Sequence, residues 1–148
     1  MRACAALAPG LAGDPAATAE ILAALADPAA TDEWFTRRPP QLHARIRFSL
    51  VAAAITRVDD PDRLLPAALA VAAVASRHTV DFDWGPLLRT FFAGHTGGPL
   101  TVPQRRYLRA LVDNPDLWDP RHGNASLAFR DAGLPHDRDT CRTLVEEG

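Results

Sequence analysis

Side chains that could bind a metal ion are concentrated near the C-terminal end of the sequence. Aspartate and histidine are ligands of divalent cations. Six of them occur there: Asp116, Asp119, His122, His136, Asp137 and Asp139. Asp119 precedes a proline, however, and Asp137 stands where a helix needs an N-terminal cap. Helix N-termini stabilise carboxylates without any metal. We therefore interpret this group as caps and solvated turns, and we predict no metal and no cofactor.

Three arginines on one predicted helix form a second candidate site. The guanidinium groups of Arg105, Arg106 and Arg109 could bind a phosphate or a carboxylate, because their planar forks match both anions. The alternative is a solvated helix face, in which Asp113 pairs with Arg109 four residues earlier. The sequence alone leaves both interpretations open.

A third candidate combines aromatic and basic side chains at the end of a short predicted helix. Trp34 and Phe35 are followed closely by Arg37 and Arg38. Aromatic and arginine residues are enriched among the side chains that contribute most to protein–protein binding. We therefore predict that these four residues contact a partner protein.

Catalytic motifs are absent from the sequence. None of the five histidines belongs to a recognisable nucleophile arrangement, and Ser49, Ser76 and Ser126 fall within predicted helices. Cys4 and Cys141 form no Cys-x-x-Cys pair. No Glu-x-x-His pair or phosphate-binding glycine loop is present. Catalytic residues therefore stay unassigned.

Composition limits the classes of partner. The chain has 148 residues, of which 47% are hydrophobic, and its net charge is −2. All 16 basic residues are arginines, which is typical of a high-GC genome. A nucleic-acid-binding protein normally has a basic excess, so this class is disfavoured. The most apolar stretch is too short to cross a bilayer. We predict a cytoplasmic protein with no membrane partner.

Residues typical of helix starts and helix ends divide most of the sequence into predicted helices. The segment from Asp14 to Thr18 is repeated letter for letter from Asp27 to Thr31, and in both copies an aspartate cap precedes a proline at the first helical position. Residues 42–58 predict a central helix that is apolar over much of its circumference. The residues that predict later helix starts are Asp59, Asp60, Pro61, Asp83, Thr101, Gln104, Asn124 and Asp137. Those that predict later helix terminations are Gly94, Gly133 and Leu134. Thr79-Val80 is too short for a strand.

The sequence therefore predicts one all-α domain over residues 1–148, an irregular stack of about eight antiparallel helices. Residues 42–94 combine a long apolar helix, an Asp-Asp-Pro-Asp turn and an alanine-rich return helix. In these features the chain resembles a degenerate HEAT-type or armadillo-like helical repeat. Residues 14–94 would form the repeat-like part. Residues 100–148 resemble the capping segment of some actinobacterial HEAT-like proteins. The resemblance implies an α-solenoid-like arrangement and a surface that binds a partner.

Two functions follow as expectations. The first is a non-enzymatic adaptor that presents a helical face to a protein partner. The alternative is a small helical enzyme or a small-molecule-binding protein, with a pocket between the central helix and the C-terminal segment. Nucleic-acid binding through the arginines ranks below both.

Overall fold

The computed structural model is helical throughout the residues it describes, namely the backbone of 2–33, 40–118 and 123–147 and the side chains of 2–31, 46–118 and 124–147. No strand occurs in these ranges, which confirms the predicted all-α class. Nine α-helices are present in the described residues: α1 (Arg2–Ala6), α2 (Pro15–Ala26), α3 (Pro28–Glu33), α4 (Pro40–Arg57), α5 (Pro61–Val74), α6 (Trp84–Phe91), α7 (Val102–Asp113), α8 (Gly123–Asp131) and α9 (Arg138–Glu146). Three short 3-10 turns lie between them, at Pro9–Leu11, Arg77–Thr79 and Pro115–Leu117.

The aspartate caps the helix in both copies of the repeated segment, although it accepts from the second following residue in the first copy and from the third in the other. Asp14 accepts from the backbone N–H of Ala16 at 2.9 Å, and Asp27 accepts from that of Ala30 at 3.1 Å. The threonine of each copy donates its hydroxyl to the carbonyl of the capping aspartate. Both predicted helix starts are therefore confirmed, and the letter repeat reflects a repeated cap.

Contacts group the chain into two compact units, Met1–Val71 and Ala72–Gly148. In the N-terminal unit, α2 packs against α1, α3 and α4. Its core is formed by aliphatic residues that are almost fully buried, such as Ile21, Leu50 and Val51. Arg57, the last residue of α4, donates a hydrogen bond of 3.0 Å to the carbonyl of Ala6 at the end of α1. The side chain of Arg57 therefore holds the C-terminal ends of α1 and α4 together.

Helix α5 is regular from Pro61 onward, and Pro66 lies inside it as the sixth residue. Because Pro66 has no N–H, it cannot donate to the carbonyl four residues earlier, at Asp62. Both residues are exposed, so water can satisfy that carbonyl and the helix continues.

Aromatic rings form the centre of the C-terminal unit. Phe129 of α8 lies between Trp84 and Trp118, with ring centroids 5.7 and 4.6 Å away. Phe91 stacks on Tyr107 at 4.8 Å. Rings at these separations gain interaction energy beyond the burial of their area. These contacts hold α6, α7 and α8 together around one core.

Two predicted helix boundaries in this unit have the expected geometry. Thr101 and Gln104 form a reciprocal capping box at the start of α7. At the end of α8, Gly133 adopts a φ of +71° and Leu134 donates its N–H to the carbonyl of Phe129 at 2.9 Å. This is the Schellman ending that the Gly-Leu pair predicts.

Within the described ranges, no helix is both long enough and apolar enough to cross a membrane. The solenoid-like arrangement implied by the resemblance stays a prediction, as does the division into a repeat-like part and a capping part.

Replacing Gly85 by alanine is expected to destabilise the C-terminal unit. A Cβ at this position would collide with the backbone carbonyl oxygen of Val80, which accepts the N–H of Gly85 at 3.0 Å. Backbone must move to relieve the collision, and overpacking of this kind costs about 1–3 kcal/mol. Thermal unfolding followed by circular dichroism measures the loss. Gly98→Ala is the matched control, because nothing lies within 4 Å of its added Cβ. Equal melting temperatures for the two variants would contradict the expectation.

Candidate functional site

The predicted partner-binding residues Trp34, Phe35, Arg37 and Arg38 lie outside the described residues. Asp119 and His122, two of the candidate metal ligands, also lie outside them. The contact patch at 34–38 therefore stays a prediction.

The described members of the acidic cluster have structural contacts. Asp137 caps α9 by accepting from the backbone N–H of Thr140 at 2.8 Å, and this hydrogen bond lowers the pKa of its carboxyl group. Asp139 pairs with Arg142 at 3.1 Å. Among the residues that the structure describes, no three His, Cys, Asp or Glu side chains are grouped as a metal site requires.

The three arginines considered for anion binding differ in their contacts. Arg105 makes a long hydrogen bond of 3.5 Å to the carbonyl of Leu100, just before α7 begins. Arg109 donates to the carbonyl of Val145, near the end of α9, at 3.0 Å. Arg106 is exposed. Arg109 therefore donates one hydrogen bond to a neighbouring helix and does not form the ion pair with Asp113 that a solvated helix face would contain. An anion site on the three arginines stays a prediction.

Two arginine hydrogen bonds join α7 and α9. Arg109 of α7 donates to the carbonyl of Val145, and Arg138 of α9 donates through Nε to the carbonyl of Val112 at 2.8 Å. Each acceptor belongs to the last turn of its helix, where carbonyls have no intrahelical partner. The start of α9 lies beside the end of α7, whereas the end of α9 lies beside Arg109, about one turn earlier in α7. The two helices therefore run antiparallel.

A cleft of about 290 Å³ lies between these two helices. Its lining consists of one arginine, one valine and one acid from each helix: Arg109, Val112 and Asp113 from α7, and Arg142, Val145 and Glu146 from α9. The valines are almost fully buried, at 1% and 2% exposure, and form the floor. Arg109, Asp113 and Glu146 are exposed, so the cleft is open to solvent.

The cleft could have been found from a second, imperfect repeat in the sequence. Residues 109–113 read Arg-Ala-Leu-Val-Asp and residues 142–146 read Arg-Thr-Leu-Val-Glu. Both segments end their helix, and their equivalent residues face the same cleft. The repeat is a sequence signal for Arg142 and Glu146, but only the packing of α7 against α9 shows that the two segments line one cleft.

The four charges of the cleft differ in their contacts. Arg109 is bonded to the Val145 carbonyl of the other helix, whereas Arg142 makes an exposed ion pair with Asp139 of its own helix. The carboxylates of Asp113 and Glu146, in contrast, form no hydrogen bond or ion pair with any residue that the structure describes. The cleft therefore offers two cations and two solvent-exposed anions above an apolar floor.

Two potential nucleophiles of the C-terminal unit are buried in structural roles. The thiol of Cys141 donates to the carbonyl of Pro135, and burial together with the Asp137 charge raises its pKa to about 12. The phenol of Tyr107 donates to the carbonyl of Trp84 at 2.9 Å. Burial raises the pKa of Tyr107 well above its ordinary value, and the Asp83 carboxylate raises it further. Neither group is ionised at neutral pH.

No protein-family model matches the chain, and searches of curated proteins and of solved structures find no similar protein. Function must accordingly be argued from the geometry of the chain itself.

Tyr107 is the only tyrosine of the chain, so absorbance near the phenolate band reports its ionisation alone. Its folded-state pKa lies above the ordinary value of 10.0, so the folded state holds the proton more tightly than the unfolded state. This stabilisation is complete below that ordinary pKa and is lost as the pH rises above it. We expect the phenolate to appear together with the loss of helical circular dichroism during an alkaline titration. In urea the same group should titrate near 10.0. Ionisation in the folded chain near that value would contradict the burial of Tyr107.

Proposed function

We propose that the chain is a non-enzymatic interaction module that holds a protein partner on the helical face formed by α7 and α9. The observation that carries this proposal is the cleft between these helices, which is lined by two arginines and by two exposed carboxylates that have no partner among the described residues. Charged groups arranged in this way contribute to the choice and orientation of a partner.

Helix stability does not account for the two acids. Asp113 and Glu146 are the last residues of α7 and α9, and the negative end of a helix dipole disfavours a carboxylate there. Each follows its arginine by four residues, which is the weaker order for a helix ion pair. Both acids are therefore placed at a small cost in stability, which supports a role in binding.

One of the two arginines needs less ordering to bind. Arg109 already donates to a backbone carbonyl of the neighbouring helix, whereas Arg142 makes an exposed ion pair with Asp139. An immobilised long side chain otherwise costs about 0.5–1.5 kcal/mol on binding, so this arrangement favours association. Each guanidinium group has further N–H donors available for a ligand.

The openness of the cleft favours a segment of a protein over a small molecule as its ligand. Small-molecule pockets usually have 300–1,000 Å³ and bury most of the ligand surface. This cleft has about 290 Å³, and its charged rim is exposed. The two carboxylates also disfavour nucleic acid, because they repel phosphate groups.

Neutralising both acids is expected to weaken the binding of the partner. The tagged chain is incubated with nuclease-treated extract of its host, and retained proteins are identified by mass spectrometry. The retained protein is then purified, and its affinity is measured by calorimetry for the wild type and for Asp113→Asn/Glu146→Gln. We expect a loss of about tenfold or more, because two charge-assisted contacts disappear. Glu147→Gln is the matched control, since Glu147 neighbours Glu146 but does not line the cleft.

Two outcomes would contradict this placement. If only Trp34→Ala/Arg38→Ala weakens the binding, the contact face is the segment 34–38 and the α7–α9 assignment is wrong. If no protein is retained in stoichiometric amount, the interaction module itself is wrong.

A further inference from the structure

The cleft also limits which part of a partner can enter it, and this inference rests on the proposed function. With about 290 Å³ it lies just below the usual range for a whole small-molecule ligand. An extended peptide that crossed it would leave most of its length outside. The end of a chain can instead enter with its last residue alone.

Charge then defines the chemistry of that residue. The guanidinium groups of Arg109 and Arg142 match a carboxylate, which they can bind with two parallel hydrogen bonds. A carboxylate alone would be repelled by Asp113 and Glu146, so the same ligand must also bring a cation. A C-terminal arginine or lysine carries both charges, separated by only a few bonds.

The matching composition of the two helix ends supports this assignment. Each helix contributes an arginine, a buried valine and an acid to the cleft. The hydrogen bond from Arg109 to the carbonyl of Val145 places this arginine beside the end of α9, which carries Glu146. The cleft thus offers both cations and anions, while the valines offer a surface for the aliphatic stem of the ligand side chain.

We infer that the cleft between α7 and α9 binds the free C-terminus of a partner protein that ends in a basic residue. The terminal carboxylate is held by a guanidinium group of the arginine pair, and the basic side chain by Asp113 or Glu146.

The test titrates the ¹⁵N-labelled full chain with three acetylated pentapeptides and follows chemical shifts by NMR, which detects weak binding. The first peptide is Ala-Gly-Ala-Gly-Arg with a free carboxylate, the second is its C-terminal amide, and the third ends in alanine with a free carboxylate. We expect saturable shifts at 109–113 and 142–146 with the first peptide. Amidation or loss of the basic side chain should each weaken binding by about tenfold or more.

Variants provide the control. Asp113→Asn/Glu146→Gln should lose the preference for the arginine-ended peptide over the alanine-ended one. Glu147→Gln should bind all three as the wild type does. Circular dichroism spectra that match the wild type show that the variants are folded.

Three results would overturn the inference: equal binding of the acid and the amide, binding of free arginine as tight as that of the first peptide, or no shifts up to a concentration on the order of 10 mM. Each is distinguishable from failure of the proposed function. A partner lost in the cleft variants, without binding of these peptides, leaves the interaction module in place and removes only the C-terminal recognition.

Discussion

Carbonyl groups at the ends of the helices need hydrogen-bond donors, and in this chain long side chains from other elements supply many of them. The last four carbonyls of any helix have no partner within it, and a buried carbonyl left unsatisfied costs about 1–3 kcal/mol. Six donor side chains act in this way: Arg57, Gln104, Arg109, Asn114, Trp118 and Arg138. Their acceptors are, in the same order, Ala6, Phe91, Val145, Ala72 with Ala75, Leu111 and Val112. Each bond ties the end of one segment to another part of the same unit.

The candidate binding site depends on the same interaction. The bonds from Arg109 and Arg138 fix α7 and α9 side by side, and the cleft lies between them. Arg109 has two roles. One of its N–H groups donates to a carbonyl at the end of α9, and its remaining donors are available to a ligand in the cleft. The residues of the site therefore lie on helices that are already held in position, which is what precise recognition requires.

Local signals made much of the fold predictable. Asp14, Asp27 and Asp137 act as caps, Thr101 with Gln104 forms the capping box, and residues 133–134 end α8 as predicted, because each of these depends on residues close in sequence. Nine α-helices occur in the described ranges where about eight were predicted, since α1 has only five residues and lacks a cap signal. The donors to the helix ends were not predictable, because nothing local links Asn114 to Ala72 or Arg138 to Val112. Arg142 and Glu146 were missed for the same reason, since their meaning depends on the antiparallel partner helix.

The most direct test of this account is the hydrogen-exchange rate of individual side-chain N–H groups, measured by NMR on the folded chain. Arg138 Nε–H and the indole N–H of Trp118 each donate to a carbonyl in the last turn of α7 at 2.8 Å. We predict that these two protons exchange much more slowly than the Nε–H of the exposed Arg106. Protection of both would establish that side-chain donors hold the helix ends in solution. An Arg138 Nε–H that exchanges as fast as that of Arg106 would contradict the account, because α7 and α9 would then lack one of the two hydrogen bonds that join them.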